Sequence, residues 1–423
     1  MTTVEVPRPA PVRVPAARSR VPYLHQIDLF RLITFACVIL IHVVVSTNYP
    51  QDVPANAVAA LLHFTREAFF ALTGFVLVYQ YRDRPPRASG FWRRRFPLVA
   101  VPYLAWSVFF WGYSLVTTGE PAGSVGTRLA ALGRELIEGS AWYHLYFLLV
   151  TMQVYLLFPL LLKLLRATRG RHRYVLLVSG ALEVGVALFM TYPPEGVTYD
   201  TISYLFSTIL PYQFFTVLGA VAAMHFETLH AWVRAHRGSL AVALVAVGVG
   251  TELAYFHNVH SGTWPQLASE VYQPYLLPWF VTVIAALYAM CSWWSARRRE
   301  GGRAARLVAW ASNRSFSIFL VHPLALALLG PAIGPVADRV GAPWTTIVIY
   351  LATLALTFLF VEILRRLPIS KALTGRPRVR RAPGARPVQQ RFAAAMTAFR
   401  LAVTTEASIP TAQRMLPPVR NSR

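Results

Sequence analysis

Five residues in the first seventy positions have the types and spacing for proton transfer and anion binding. Arg31 and His42 lie eleven positions apart. At 100° per residue this is about 1100°, roughly 20° past three turns, so on a helix both share one face, about 16 Å apart along the axis. An arginine suits a phosphate-bearing ligand, and a histidine deeper on the same face suits proton transfer. A second segment carries His63, Arg66 and Glu67, whose i, i+3, i+4 spacing sets them on neighbouring positions of one helix face. Two histidines, an arginine and a carboxylate at one level would make an acid–base site. Each also has a structural reading. Arg31 could snorkel to headgroups or pair with Asp28, and Glu67 could form a buried ion pair with Arg66 or His63.

The elements that must position these groups are membrane helices. The chain of 423 residues is 55% hydrophobic and only 14% charged, with mean hydropathy +0.45, where a soluble chain would carry about 25% charged residues. Apolar runs of about 20 residues recur, the length that crosses the hydrocarbon core. They are continuous and do not alternate, which selects helices over a barrel. The fold class expected is all-α, with ten transmembrane helices at 27–47, 57–80, 96–117, 142–165, 174–192, 204–225, 239–258, 274–295, 305–330 and 343–366.

Charge then orients the bundle. The alternate loops 1–22, 81–95, 166–173, 226–238 and 296–306 hold 21 basic residues, whereas the intervening ones hold only Arg128, Arg134 and Arg339. By the positive-inside rule both termini are cytoplasmic. The net charge of +23 is therefore topology and not a nucleic-acid partner. Residues 1–22, rich in Pro, Val and Arg, lack a signal peptide's apolar core and cleavage site and read as a disordered lead-in. Residues 23–366 form the membrane domain. The basic tail 367–423 is either disordered or carries an amphipathic helix at 388–403, with Phe392, Met396 and Phe399 on one face. The loop 118–141 has room for one short surface helix around Leu129–Ile137. Cys37 and Cys291 fall in apolar runs and are expected as free, buried thiols.

Further polar groups sit where lipid should be, and each is a functional candidate. Asn313, Arg314 and His322 lie in the ninth helix, His322 toward the outer side. His144 opens the fourth helix among aromatics, where an aromatic belt explains it as well as catalysis does. Glu183, Gln213 and Glu252 read more simply as hydrogen-bonding glue between helices. Pro102, Pro159, Pro211 and Pro278 are expected to kink their helices around a cavity. There is no phosphate-binding glycine loop, nucleophile elbow or metal-ligand spacing.

Asp28–Arg31 with Ile41–His42, Phe69–Phe75, Phe91–Arg95 with Val101–Tyr103, Tyr143–Leu148 and Ser317–Pro323, taken together in that order, resemble the acyltransferase-3 family of bacterial membrane O-acyltransferases. Asp28–Leu29–Phe30–Arg31 followed by Ile41–His42 matches its arginine–ten residues–histidine opening. Phe69–Phe70–Ala71–Leu72–Thr73–Gly74–Phe75 resembles its second-helix motif, with Thr73 in place of the usual serine. Phe91–Trp92–Arg93–Arg94–Arg95 and Val101–Pro102–Tyr103 resemble its basic loop and the start of its third helix, with Leu98 where a further arginine often stands. Tyr143–His144–Leu145–Tyr146–Phe147–Leu148 and Ser317–Ile318–Phe319–Leu320–Val321–His322–Pro323 are similar to its later motifs.

The resemblance implies an enzyme of the bacterial inner membrane that moves an acyl group, commonly acetyl, from cytoplasmic acyl-CoA to a hydroxyl of an outward-facing glycan or similar acceptor. Acyl-CoA would be a co-substrate, with no tightly bound cofactor and no metal. On that reading Arg31, Arg93, Arg94 and Arg95 hold the donor's phosphates, and His42 is the general base or a transient acyl carrier. From the residues themselves, Glu67 would orient His42 and His63 or Arg66 would stabilise the oxyanion. Thr73, His144 and His322 would line the acceptor side. A polysaccharide exporter using the same polar cavity is the competing class.

Overall fold

The computed structural model describes residues 22–117 and 124–379. Helices dominate, and no strand occurs among the described residues. In chain order they are α1 (His25–Thr47), α2 (Val53–Leu62), α3 (Phe64–Tyr81), α4 (Ala88–Arg95), α5 (Pro97–Thr117), α6 (Val125–Glu138), α7 (Tyr146–Ala167), α8 (His172–Thr191) and α9 (Tyr199–Phe206). There follow α10 (Gln213–Met224), α11 (Phe226–Ala235), α12 (Arg237–His260), α13 (Pro265–Ala268), α14 (Leu277–Arg297), α15 (Arg303–Ser312), α16 (Ser315–Val340), α17 (Trp344–Leu364) and α18 (Ser370–Thr374). Among the described residues nine spans are long and apolar enough to cross a membrane, and ten if the bent pair around α9 and α10 counts as one more. This is the expected polytopic all-α architecture.

The differences from the expected helices fall at breaks. The second span is split at His63, which ends α2 and begins α3. The sixth bends by 50° between Phe206 and Leu210, and its open backbone is satisfied from the side. Gln153 of α7 donates to the Ser207 carbonyl (2.6 Å) and accepts from the Ile209 amide (2.9 Å). Within a bilayer such a break holds only if its polar groups find partners in the protein. The ninth span breaks at Asn313 and Arg314, so these two residues sit between α15 and α16 and not inside a helix. In turn α16 runs on through Pro331 and Pro335 to Val340, where a loop was expected. Each proline removes one N–H without forbidding the helix, and lipid offers the backbone no alternative partner.

Residues 226–238 were read as a loop but include the helix α11. Pro102 and Pro159 lie inside α5 and α7, and Pro211 lies in the short 3-10 turn at the 50° bend. Pro278 stands in the first turn of α14, where its missing N–H costs nothing, so no kink is needed there. Surface helix α6 is longer than expected. Ser124 caps it by accepting from the Thr127 amide (3.2 Å), and Gly139 ends it in the left-handed region (φ +74°). The residue range 388–403 and most of 1–22 lie outside the described residues. Cys37 is half-buried, Cys291 is buried and both are free.

Two helices meet almost backbone to backbone. A Cβ on Gly219 of α10 would lie 1.8 Å from the Ala71 carbonyl oxygen of α3, and one on Gly74 would lie 2.0 Å from that of Thr216. The glycine of the Thr73–Gly74–Phe75 motif is thus a packing device that locks α3, the carrier of Arg66 and Glu67, against α10.

Candidate functional site

A cavity of about 900 Å³ opens at the end of the bundle opposite the basic loops, and a second of about 520 Å³ adjoins it. His42, His63, Val45 and Tyr143 line both, so the two chambers meet across the His42 side chain. The larger is walled by Arg66, Phe69, Trp142, His144 and Phe147, with Glu138 and Asp200 contributed by α6 and α9. The smaller is walled by polar groups of loops and helix ends: Asn48, Tyr49, Asn56, Gln266, Ser269 and Glu270. Burial pushes the Glu270 carboxyl up from its ordinary range, while Arg66 pulls the other way.

Three imidazoles gather at His42. His322 stacks on it at a ring-centroid distance of 5.3 Å and an angle of 25°, and His144 stands 5.8 Å from His322. Tyr143 also packs on His42, with ring centroids 4.7 Å apart. His322 is fully buried, and its Nδ1 donates to the Phe319 carbonyl (2.8 Å). That bond fixes the tautomer and leaves Nε2 as a lone pair with no hydrogen-bond partner among the described residues. His144 does not begin a helix. It lies in the turn before α7, which Gly139 makes possible by bringing its own backbone against Tyr146, where a Cβ would meet Cα at 2.7 Å. No group of three His, Cys, Asp or Glu among the described residues is spaced to hold a metal ion.

The second-helix residues divide between two tasks. His63 faces the cavities beside His42, whereas Arg66 and Glu67 bond to each other. Arg66 Nη2 lies 2.7 Å from the Glu67 carboxylate and Nε donates to both its oxygens (3.1 and 3.2 Å). Nη1 donates to the Tyr272 hydroxyl (2.8 Å), and the guanidinium sits over the rings of Tyr212 (4.7 Å) and Tyr272 (4.6 Å). The structure therefore gives Glu67 to Arg66 and not to His42, and the orienting role expected of Glu67 passes to no carboxylate. Thr73 turns its hydroxyl back to the Phe69 carbonyl of its own helix (2.8 Å) and is absent from both cavity walls.

Arg31 stands at the other end of α1. Asp28, its expected partner, accepts from Tyr23 (2.9 and 2.8 Å) and from Ser312 (2.7 Å), so Arg31 keeps only the longer-range attraction of that carboxylate. Burial, aided by the bond to Asp28, pushes the Tyr23 phenol up to about 12. Of the three arginines in α4, only Arg95 joins Arg31, both being within electrostatic reach of Tyr155. Arg95 also donates to Gln80 (2.5 Å), while Arg93 and Arg94 are exposed. Between Arg31 and His42 the rings of Phe35, Phe69, Phe147 and Phe319 form one apolar layer, with successive centroids 4.4, 5.6 and 5.1 Å apart.

Glu183 and Gln213 are structural. The Glu183 carboxylate accepts from Gln213 (3.1 Å) and from the Phe214 amide (3.3 Å), holding the start of α10 after the bend. Residues that sequence reasoning missed come from loops and helix ends, namely Tyr143, Glu138, Asp200 and Glu270. No period marks such positions, and only Tyr143 carried a signal, through the segment it shares with His144.

Residues 24–362 match the acyltransferase-3 family, described as an acyltransferase domain. The chain belongs to that family. It is a multi-pass membrane protein of an acyltransferase family, and the site described above lies within the matched residues. No curated protein and no solved structure matches it.

Proposed function

We propose that this acyltransferase takes its acyl group, acetyl in the first instance, from acyl-CoA on the cytoplasmic side of the bacterial inner membrane. It delivers the group to a hydroxyl of an extracytoplasmic glycan or similar acceptor. The observation that carries the reading is the placement of α1, which sets Arg31 at the basic end and His42 where two adjoining chambers meet. The donor's phosphates belong with Arg31 and Arg95, and its pantetheine arm extends along the Arg31–His42 face toward the imidazole.

An acceptor hydroxyl in either chamber then gives its proton to a ring nitrogen of His42, and the oxygen attacks the thioester carbon. The tetrahedral oxyanion forms beside His63 and His144, whose ring N–H groups can donate to it, with the Glu67-paired Arg66 on the same wall. The carbon–sulfur bond breaks, the imidazolium returns its proton to the leaving thiolate, and an O-acyl ester and free CoA result. Asn, Gln, Ser, Tyr and carboxylate side chains around the smaller chamber suit a polyhydroxylated acceptor.

The test is release of CoA from acetyl-CoA by purified protein in vesicles, with candidate glycans present and their mass followed in parallel. His42→Ala should lower turnover about 10²- to 10⁴-fold, the range for loss of a general base, at an unchanged unfolding temperature. Turnover that survives the substitution removes His42 from the chemistry. Glycan flux through the same vesicles without CoA release would establish an exporter instead.

A further inference from the structure

The family match ends at residue 362, yet the chain beyond it folds back onto the basic end. The Leu373 carbonyl accepts from the Trp106 indole (2.9 Å) and the Thr374 carbonyl from Ser317 (3.4 Å). Gly375, at φ +62°, lets the turn sit against Phe316, whose ring a Cβ would meet at 2.8 Å. Fully buried Ser370 donates to the Arg376 carbonyl (3.1 Å), which fixes the backbone of that residue.

This hairpin brings an unneutralised positive charge to the mouth. Arg376 is within electrostatic reach of Arg31, Arg365 and Tyr23. Arg365 is only 6% exposed; it donates to the Asn313 carbonyl (3.3 Å), and its Nε has no partner among the described residues. The nearby carboxylates are occupied. Asp28 is held by Tyr23 and Ser312, and Glu362 by Arg314 and Arg366. Arg376 repels both Arg31 and Arg365, none of the three forms an ion pair with a carboxylate among the described residues, and an anion between them would relieve that repulsion. Forked guanidiniums match the oxygens of a phosphate best.

We propose that Arg31, Arg365 and Arg376 form a phosphate-binding mouth, with the α18 hairpin supplying its third member. This rests on the acyl-CoA reading and adds Arg365 and Arg376 to Arg31 and Arg95 as residues that grip the donor's phosphates. The same chemistry is offered by an anionic lipid headgroup, so the test must separate the two sources.

Two donors are compared, acetyl-CoA and acetyl-pantetheine, the second having the thioester but no phosphate. Arg376→Ala should raise KM for acetyl-CoA about tenfold, the worth of one charge-assisted contact at an exposed position. The kcat for both donors and the KM for acetyl-pantetheine should not change, and Arg376→Lys should recover part of the loss. Arg378→Ala, at an exposed neighbour, should behave as wild type. Titration calorimetry with CoA itself reads the same shift without an acceptor.

Equal damage to both donors would show that the hairpin is merely structural and overturn the proposal. So would no damage to either, while His42-dependent transfer continued, leaving the acyl-CoA reading intact. Unchanged CoA affinity with lost retention of phosphatidylglycerol would assign the mouth to lipid and overturn it as well. A wild-type protein that neither binds CoA nor releases it would overturn both readings together.

Discussion

The Arg66–Glu67 pair permits a prediction whose size follows from its geometry. Its side chains are 10% and 2% exposed, and four hydrogen bonds and two ring contacts converge on the guanidinium. Arg66→Met strands a buried carboxylate, which costs about 3–5 kcal/mol, with the cation–π contacts placing it in the upper half of that range. Glu67→Leu strands the guanidinium at a similar cost. The double variant strands neither. It loses mainly the Tyr272 hydrogen bond, about 1 kcal/mol, because apolar replacements of a buried pair are often close to neutral. A double-mutant cycle on unfolding in detergent should therefore give a coupling energy of at least about 3 kcal/mol. Activity belongs in the same experiment, since a carboxylate that serves Arg66 should not alter the pH profile of His42. Additive losses in the double variant would refute the structural reading. So would a Glu67→Gln protein of wild-type stability with a displaced pH profile, which would return Glu67 to the catalytic imidazole.

Two further outcomes are expected. Gly219→Ala must part α3 from α10 because the clash is with backbone, so it should destabilise by about 3 kcal/mol, the upper end for overpacking; thermal unfolding checks this against Gly185→Ala, whose Cβ meets nothing. At the surface, the hydrogen bond from Arg82 holds the Glu227 carboxyl below its ordinary value. A carboxyl depressed in the fold adds stability above its unfolded pKa and loses it as pH falls through the folded value. Wild type should therefore lead Glu227→Gln by no more than about 1 kcal/mol at pH 6 and converge with it near pH 3, as read from unfolding temperatures at each pH.

The sequence was most informative where a period exists. Hydrophobic runs gave the spans, and the eleven-residue interval gave the shared face of Arg31 and His42. Breaks were not legible in this way. The 50° bend after Phe206 depends on Gln153, some fifty residues earlier in the chain, and nothing local announces that rescue. A buried ion pair of Glu67 with Arg66 or His63 was one reading of the spacing and an orienting role toward His42 the other, and spacing alone could not choose between them. The i, i+1 arrangement works only because Tyr212 and Tyr272, from distant segments, hold the guanidinium in place. Gly74 was visible as part of a motif, while its purpose, a Thr216 carbonyl 2.0 Å from any added Cβ, belongs to the partner helix.

The four-phenylalanine layer bears on how such a site can exist in a membrane. His42 opens to chambers with polar walls and Arg31 to the basic end, and a continuous polar route between them would leak ions. Phe35 is four residues beyond Arg31 and seven before His42, so it lies on the face the two share. It meets Phe69 and Phe319, and Phe147 closes the remaining side. Phe69, Phe147 and Phe319 are also the floor of the larger chamber. The barrier to leakage and the floor of the candidate site are thus the same rings. If a thioester donor reaches His42 from the basic end, its arm passes among side chains that pack by dispersion and hold no fixed hydrogen bonds, which lets them part around a slender chain and close behind it. An exporter of hydrated glycan would need that layer to open to the width of a sugar. The chemistry proposed here needs it to admit only a single slender chain.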